Sequence, residues 1–299
     1  MNAITGMDGH YLEPYIIKAL HEAKSIRLII SFVMESGVKI LLPHLVQAAN
    51  NGVSIQLLTG RYLSVTEPSA IYLLYDYLGD SIDIRFYSDP LRSFHPKAYI
   101  FEFEYDSEIY VGSSNLSRSA LISGVEWNYR LSKSQNPKDY YDFSNTFNNL
   151  FNSYSEKVTL DILKEYAFQW KRPEFVRLED LTSIVGDTTI PEPRGAQIEA
   201  LYYLKQARNE GISKGVVVAA TGVGKTHLAA FDTADQKTVL FLAHRDEILQ
   251  QAFDIFSLIR PESVLGFYNG IKKDEEAEIY FASVQTLVTD KLKWTENNK

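Results

Sequence analysis

The chain of 299 residues contains no cysteine. Disulfides, thiolate zinc sites and cysteine nucleophiles are therefore excluded, and this composition suits a reducing compartment such as the cytoplasm, where we expect the protein to act. Long hydrophobic runs are missing too. The longest, such as LIISFVM, fall far short of the ~20 residues that a membrane helix needs, so we predict no membrane segment.

An excess of positive charge is also missing, since the formal net charge is −8. A protein that coats nucleic acid through bulk electrostatics is therefore disfavoured. A local cationic site is still compatible with this balance, because an enzyme that cuts a phosphodiester needs positive charge only where the phosphate lies. The proportions of 45% hydrophobic and 23% charged residues are those of an ordinary globular protein, and the length allows two domains.

The chain up to about residue 130 alternates between helical and strand patterns. Apolar residues at helical spacing predict helices over residues 10–24, 38–50 and 68–78. Strands are predicted for the segments SIRLIISFV, VSIQLLTG, SIDIRFYS, KAYIFEFE and SEIYVG. The last two are joined by Tyr105-Asp106 and predict a hairpin, so the pattern indicates an α/β fold with a mixed sheet flanked by helices.

Three regions follow from the rest of the chain. An aromatic and polar stretch over 137–170 predicts helices that pack on the α/β part. We therefore include this stretch in the first domain, which we place at residues 1–170. The segment KRPEFVRLEDLTSIVGDTTIPEPRG contains three prolines and no sustained period, so we place a linker at residues 171–192. A second α/β unit occupies residues 193–299, with predicted strands GVVVAA, KTVLFLA, SVLGFY and IYFASVQTL and helices KTHLAAFDTA and RDEILQQAFDIF.

The first candidate site lies on the predicted hairpin, whose first strand alternates like a half-buried one. His95 and Lys97 are two residues apart, so on a strand they share a face, and Ser113 and Asn115 share a face after Gly112. The hairpin would bring together a ring nitrogen, a cation and two neutral hydrogen-bonding groups. Such a set suits a phosphate, which needs donors for its non-bridging oxygens and a nucleophile held in line.

Glu126 lies eleven residues beyond Asn115 and is available to hold the far ring nitrogen of a histidine, which would fix its tautomer. Taken singly, a histidine at a strand start is usually a surface residue, and a Ser-Asn turn is usually only a turn. The joint pattern of H-x-K, a short hairpin, G-S-x-N and a downstream glutamate is what favours a phosphate site.

The segments FHPKAYIF, VGSSNLSRSAL and EWN, with GVSIQLLTGRYLSVTEPSA before them, resemble the phospholipase D superfamily over roughly residues 10 to 130. The resemblance is to its branch in bacterial restriction-type nucleases. It implies a phospholipase D-like sheet and catalysis through a phosphohistidine. The implied roles are nucleophile or acid for His95, phosphate binding for Lys97, Ser113 and Asn115, and histidine orientation for Glu126.

Two departures from the family pattern have consequences. The aspartate expected five residues after the lysine is replaced by Glu102, on a predicted strand. The chain also contains a single H-x-K, so a mechanism with two histidines requires a second copy. The resemblance therefore implies a homodimer with one active site on its two-fold axis. No metal is implied at this site, because lysine supplies the positive charge.

A glycine-rich turn, AATGVGKT, follows the strand pattern GVVVA and precedes a helical pattern. The backbone N–H groups of such a loop wrap a β-phosphate, the lysine neutralises the β- and γ-phosphates, and the last threonine offers a hydroxyl to Mg²⁺. The predicted ligands of ATP with Mg²⁺ are Thr221, Gly222, Gly224, Lys225 and Thr226. A glycine turn that binds no phosphate is the alternative, against which the strand context and the GKT triplet argue.

The segments PRGAQIEAL, FLAHRDEILQQA and FASVQTL resemble the Q motif and motifs Ia and Ib or Ic of superfamily 2 helicases and restriction-enzyme translocases. The resemblance implies a partial RecA-like parallel sheet, adenine recognition by Gln197, and contacts to a nucleic-acid backbone near Arg245 and Thr286. For His244 and Arg245 the alternative is a solvated helix start.

No D-E-x-H or D-E-x-D motif follows before Lys299. We therefore expect the chain to be the N-terminal portion of a longer nuclease–motor protein. The motor region that holds these motifs would lie in the parent protein, so we expect this chain to bind ATP without turning it over as a helicase does.

The combined prediction is a metal-independent endonuclease acting on DNA, in a restriction or phage-defence setting by analogy with the family. Two other functions stay open. In the first, the predicted phosphate site binds a phosphate or a DNA end without cleaving it. In the second, the substrate is a phospholipid. The helicase-like segment favours nucleic acid, and no amphipathic membrane-binding helix or basic surface run is evident.

Overall fold

The computed structural model describes residues 2–61, 64–171 and 191–289. The chain divides into two compact units, residues 1–185 and 186–299. The predicted linker at residues 171–192 lies almost entirely outside the described residues. No helix among the described residues combines the length and the apolar character needed to span a bilayer.

The first unit is built on an eight-stranded mixed sheet. Its strands are β1 (Ala3–Ile4), β2 (Ser25–Ile30), β3 (Ser54–Thr59), β4 (Ile82–Tyr87), β5 (Lys97–Glu102), β6 (Ser107–Gly112), β7 (Asn128–Ser132) and β8 (Ser155–Lys157). Their order is β1-β7-β6-β5-β2-β3-β4-β8. β2, β3 and β4 pair in parallel and the other pairs are antiparallel, so the predicted mixed α/β sheet is confirmed.

The helices of this unit are α1 (Glu13–Glu22), α2 (Glu35–Asn50), α3 (Pro68–Leu78), α4 (Arg118–Ile122), α5 (Pro137–Ser153) and α6 (Leu160–Gln169). The three helices predicted from apolar spacing are present as α1 to α3. α3 begins at a proline, whose fixed φ suits the first helical turn. The helices predicted at 137–170 are α5 and α6, which are separated by β8, a short strand that the sequence pattern did not indicate.

β5 is buried on both faces, whereas its alternating pattern predicted a half-buried strand. Ala98 and Ile100 lie in one core cluster with aromatic residues of α5. Tyr99 and Phe101 point to the opposite face and are equally buried. The prediction was wrong because packed elements cover both faces of the sheet, so side chains of either parity leave water.

Glu102 faces α5. Its carboxylate accepts a hydrogen bond at 2.6 Å from the guanidinium of Arg27, whose side chain is 7% exposed. Ser144 and Asn148 of α5 accept from the same guanidinium at 2.9 and 3.1 Å. Glu102 therefore compensates a buried charge under α5, and it lies on the face of β5 opposite to Lys97.

The second unit holds a three-stranded parallel sheet of β9 (Val239–Ala243), β10 (Leu265–Tyr268) and β11 (Ile279–Ser283), in the order β10-β11-β9. Its helices among the described residues span Ala196–Asn209, Lys225–Asp232, Asp246–Ile259 and Val284–Thr289. Phe256 and Phe281 are fully buried in its core. The predicted parallel sheet is present.

The predicted strand GVVVAA is not formed. Residues 212–220 belong to neither a helix nor a strand, and Val216 and Val218 are 89% and 93% exposed. The prediction was wrong because apolar, β-branched residues make a strand only where a neighbouring strand pairs with them. In the described part of the chain β9 pairs with β11 alone, and no strand lies on its other edge.

Candidate active site and nucleotide-binding loop

The five predicted residues of the first site lie at one end of the eight-stranded sheet. His95 precedes β5 and Lys97 begins it, Ser113 and Asn115 follow β6, and Glu126 precedes β7. The antiparallel ladders β5–β6 and β6–β7 place these strand ends side by side. The predicted hairpin is thus present, although His95 lies just before the strand.

Lys97 is partly buried beside an exposed histidine. Its Nζ donates a hydrogen bond to the main-chain carbonyl of His95 at 2.9 Å. Burial lowers the pKa of Lys97, and the carboxylate of Glu126 acts in the opposite direction. Lys97 therefore places a positive charge at the sheet end that is only partly hydrated, and such a charge interacts more strongly with an anion than one in bulk water.

Glu126 is bound to Ser113. The Ser113 hydroxyl donates to the Glu126 carboxylate and accepts from the Trp127 N–H at 2.9 Å. The Ser113 N–H donates to the Trp127 carbonyl at 3.0 Å. Among the described residues no hydrogen bond joins Glu126 to the His95 ring, so its role in orienting a histidine stays a prediction.

The turn after β6 is held tightly from within. A Cβ at Gly112 would lie 2.1 Å from the carbonyl oxygen of Trp127, so this approach requires glycine. Ser114 is fully buried, and its hydroxyl accepts from Nδ2 of Asn128 at 2.8 Å. Ser114 occupies the position of G-S-x-N that the motif leaves unspecified, and it therefore anchors the turn that carries Ser113.

Asn115 connects this turn to the end of β2. Its Oδ1 accepts from the Phe32 N–H at 3.3 Å, and the Leu116 N–H donates to the Phe32 carbonyl at 3.2 Å. Within the described residues the Nδ2 hydrogens of Asn115 have no partner, so they are available as donors to a ligand. Phe32 belongs to none of the predicted motifs.

The glycine loop of the second unit adopts a conformation that requires its glycines. Gly222 and Gly224 have φ of +87° and +81°, in the left-handed region that favours glycine. The ammonium of Lys225 donates to the carbonyls of Ala219 and Ala220 at 3.1 and 3.0 Å. The lysine is thus folded onto its own loop, and it must leave these carbonyls to reach a phosphate.

The other predicted nucleotide ligands surround this loop. Thr221 is exposed at its tip, and Thr226 is half-buried in the first turn of the helix that follows. Gln197 is 6% exposed; its Nε2 donates to the carbonyls of Val223 and Gly224 at 2.9 and 3.3 Å. This amide therefore braces the loop, and adenine recognition by Gln197 stays a prediction.

The positions predicted to face nucleic acid follow β9 and β11. His244 and Arg245 are exposed, and the Gln285 side chain donates to the His244 carbonyl at 3.3 Å. The Thr286 N–H donates to Ser283 Oγ at 3.1 Å, which caps the helix after β11. The two neighbouring parallel strands thus bring the predicted positions to one edge of the sheet.

Two family models match the chain. Residues 16–153 match the model described as cardiolipin synthase, PLD-like domain. Residues 190–299 match the model described as type III restriction enzyme, res subunit.

Two curated relatives match parts of the chain. UvrABC system protein B of Herpetosiphon aurantiacus is 33% identical over 78 residues, which are 26% of this chain and 11% of that protein. UvrABC system protein B of Methanococcoides burtonii is 29% identical over 98 residues, which are 32% of this chain and 15% of that protein. The chain therefore spans less than a sixth of the length of either relative.

Similar solved structures include a phospholipase D family member, Nuc from Salmonella typhimurium, with 21% identity, a TM-score of 0.38 and coverage of 48% of this chain and 89% of that chain. NucT from Helicobacter pylori has 14% identity, a TM-score of 0.38 and coverage of 47% and 87%. The matches to the two family models show that the chain joins a phospholipase D-like domain to a superfamily 2 helicase-type segment.

Proposed function

We propose that the first unit is a phosphodiesterase that cleaves DNA through a covalent phosphohistidine at His95. The observation that carries this proposal is the grouping of His95, Lys97, Ser113, Asn115 and Glu126 at one sheet end, inside the segment that matches the PLD-like domain. A ring nitrogen, an ammonium and free amide hydrogens are what an in-line attack on phosphorus needs.

In the proposed reaction a ring nitrogen of His95 attacks phosphorus, and the bond from phosphorus to the leaving oxygen breaks. Lys97 and Asn115 donate to the non-bridging oxygens, where negative charge accumulates. The imidazole of a second copy protonates the leaving oxygen, then takes a proton from the water that hydrolyses the phosphohistidine. Because each chain offers a single H-x-K, the complete site requires a homodimer.

The attached helicase-type segment supports DNA as the substrate, and a restriction or phage-defence setting follows by analogy. Within the described residues no three His, Cys, Asp or Glu side chains are grouped as metal ligands. In the proposed mechanism the positive charge at the phosphate comes from Lys97.

For the second unit we propose that the glycine loop binds ATP with Mg²⁺, without helicase-type turnover in this chain. The residues present fit the phosphates of a nucleotide, since two glycines with positive φ lead into a helix N-terminus that carries Lys225 and Thr226. Lys225 would neutralise the β- and γ-phosphates, and Thr226 would offer its hydroxyl to the bound Mg²⁺. When bound, ATP supplies the phosphoanhydride bond that helicase-type motors cleave.

The test of the nuclease proposal is DNA cleavage by His95→Ala beside the parent and a His10→Ala control. His10 is an exposed histidine outside the site. We expect His95→Ala to lose cleavage while its unfolding temperature stays the same as that of the parent. The parent and His10→Ala should both cleave DNA in the presence of EDTA.

Full cleavage by His95→Ala would contradict the proposal, and inhibition by EDTA would contradict metal independence. DNA binding by the parent that weakens with salt, with no product from any strand or end structure, would favour the non-cleaving phosphate-binding module instead.

A further inference from the structure

Phe32 lies just beyond β2 and touches three of the five residues of the proposed site. Its ring and the His95 ring meet edge to face, with centroids 5.5 Å apart and planes at 84°. The Lys97 ammonium lies 6.0 Å from the centroid of the same phenyl ring. The Phe32 N–H is the donor to Asn115 Oδ1. One residue therefore connects the H-x-K half of the site with the G-S-S-N half.

The position of the Phe32 ring is fixed from both sides. The Phe32 carbonyl accepts a hydrogen bond from the Leu116 N–H. The next two residues are held by the same turn, since Val33 forms a β-bridge with Leu116 and the Met34 N–H donates to the Leu116 carbonyl at 2.9 Å. The ring packs against the buried pair Met34 and Val65. The G-S-S-N turn thus holds the main chain of Phe32, and Met34 and Val65 hold its ring, so the ring is a fixed surface for the side chains that meet it.

The preceding residue holds the main chain of the H-x-K motif. Ser31 is fully buried, and both its N–H and its hydroxyl donate to the Pro96 carbonyl at 2.9 Å. Pro96 separates His95 from Lys97. The end of β2 thus fixes the motif backbone through Ser31, while the motif side chains lie against Phe32.

A fixed aromatic ring has a specific effect on an exposed imidazole. A histidine side chain at the surface exchanges between rotamers unless something restricts it. Aromatic pairs prefer the edge-to-face arrangement, and an ammonium is attracted to an aromatic ring. The phenyl ring also excludes water from part of the surroundings of Lys97, in agreement with the burial that lowers the pKa of this lysine.

We propose that Phe32 is a positioning residue that holds the His95 imidazole in the orientation required for in-line attack and keeps Lys97 beside it. The inference rests on the proposed function, because it concerns the same site. In this role Phe32 acts through its contacts with His95, Lys97 and Asn115. Its loss therefore affects the chemical step more than the binding of DNA.

The kinetic test compares Phe32→Leu, which removes the ring, with Phe32→Tyr, which keeps it. We expect Phe32→Leu to lower kcat about 10- to 100-fold, the order of loss that a displacement of roughly 1 Å causes, with little change in KM. Phe32→Tyr should recover most of this loss. Phe168→Leu is the matched control, because Phe168 is 91% exposed on α6, and it should leave kcat unchanged.

The second readout does not require activity. The His95 ring-proton signals in the NMR spectrum, assigned by their loss in His95→Ala, depend on the adjacent phenyl ring. We expect them to move in Phe32→Leu and to stay in place in Phe32→Tyr and Phe168→Leu. If Phe32→Leu does not fold, Phe32→Met takes its place, since it keeps apolar volume without a ring.

Unchanged kcat and unchanged His95 signals in the folded ring-less variant would overturn the inference. Its failure is distinguishable from failure of the proposed function. Full cleavage by His95→Ala would refute the nuclease mechanism whatever Phe32→Leu does. Loss of cleavage in His95→Ala together with parental kcat in Phe32→Leu would remove only the positioning role.

Discussion

The two candidate sites differ in how their motif residues are held. The first lies at the ends of paired strands, and β5 is hydrogen-bonded to β2 on one side and β6 on the other. The glycine loop of the second follows a segment that pairs with no strand in the described part of the chain and that exposes Val216 and Val218. In the second unit the loop depends on Gln197 and on its own glycines. A motif therefore specifies a rigid site only where neighbouring elements hold its flanks.

The largest expected contrast between the two regions comes from adding one methyl group to a glycine in each. Gly112→Ala forces a Cβ against the Trp127 carbonyl, so we expect a loss of at least about 2 kcal/mol in the free energy of unfolding, and loss of cleavage. Gly215→Ala meets no atom within 4 Å and should change neither property. Denaturant unfolding and DNA cleavage measure both effects. Equal stability of the two variants would show that the turn after β6 is not held as described.

Removing the lysine of each site should separate the two activities. Lys97→Ala should lower the cleavage rate about 100-fold or more, because a charged donor to the phosphate is lost, and should leave ATP binding intact. Lys225→Ala should abolish ATP binding and leave metal-independent cleavage at the parental rate. Equilibrium nucleotide binding and cleavage assays on both variants test this. ATP binding retained in Lys225→Ala would remove the nucleotide assignment of the loop.

The smallest expected effect is a change in the pH profile of cleavage. Lys97 acts in its charged form, and its lowered pKa means that cleavage declines at a lower alkaline pH than an ordinary lysine would allow. Glu126 raises the pKa of Lys97, so Glu126→Gln should move this decline to still lower pH. Lys97→Arg should abolish the alkaline decline of the cleavage rate within the measurable pH range, because arginine stays charged. An unchanged alkaline limb in Glu126→Gln would show that this carboxylate does not act on Lys97.

Much of the first unit was predictable because its strands and helices are strongly patterned and separated by turn residues. α3 begins and ends where its segment predicted, and the hairpin formed around Tyr105-Asp106. The two-sided burial of β5 was not predictable, because a residue pattern does not reveal that α5 covers the second face. Arg27 gave a clue, since a charge inside an apolar strand needs a partner, and that partner is Glu102.

The parts of the site outside the motifs were harder to predict. Phe32 and Ser31 lie in the apolar run LIISFVM, where a phenylalanine is indistinguishable from an ordinary core residue. The buried Ser31 was the available signal, because a hydroxyl in such a run must find an acceptor, here the Pro96 carbonyl. In the second unit, GVVVAA has the composition of a strand, but composition cannot supply the neighbouring strand that it needs.

Nucleophilic attack by His95 leaves a covalent phosphorus–histidine bond, which can be captured during cleavage. DNA labelled with ³²P is mixed with the parent and with His95→Ala, and the reactions are stopped in alkali, in which phosphohistidine is stable. We expect label on the parent protein, mapped to the peptide that contains His95, and none on His95→Ala. Cleavage by the parent without any labelled protein, or equal labelling of His95→Ala, would contradict nucleophilic attack by His95.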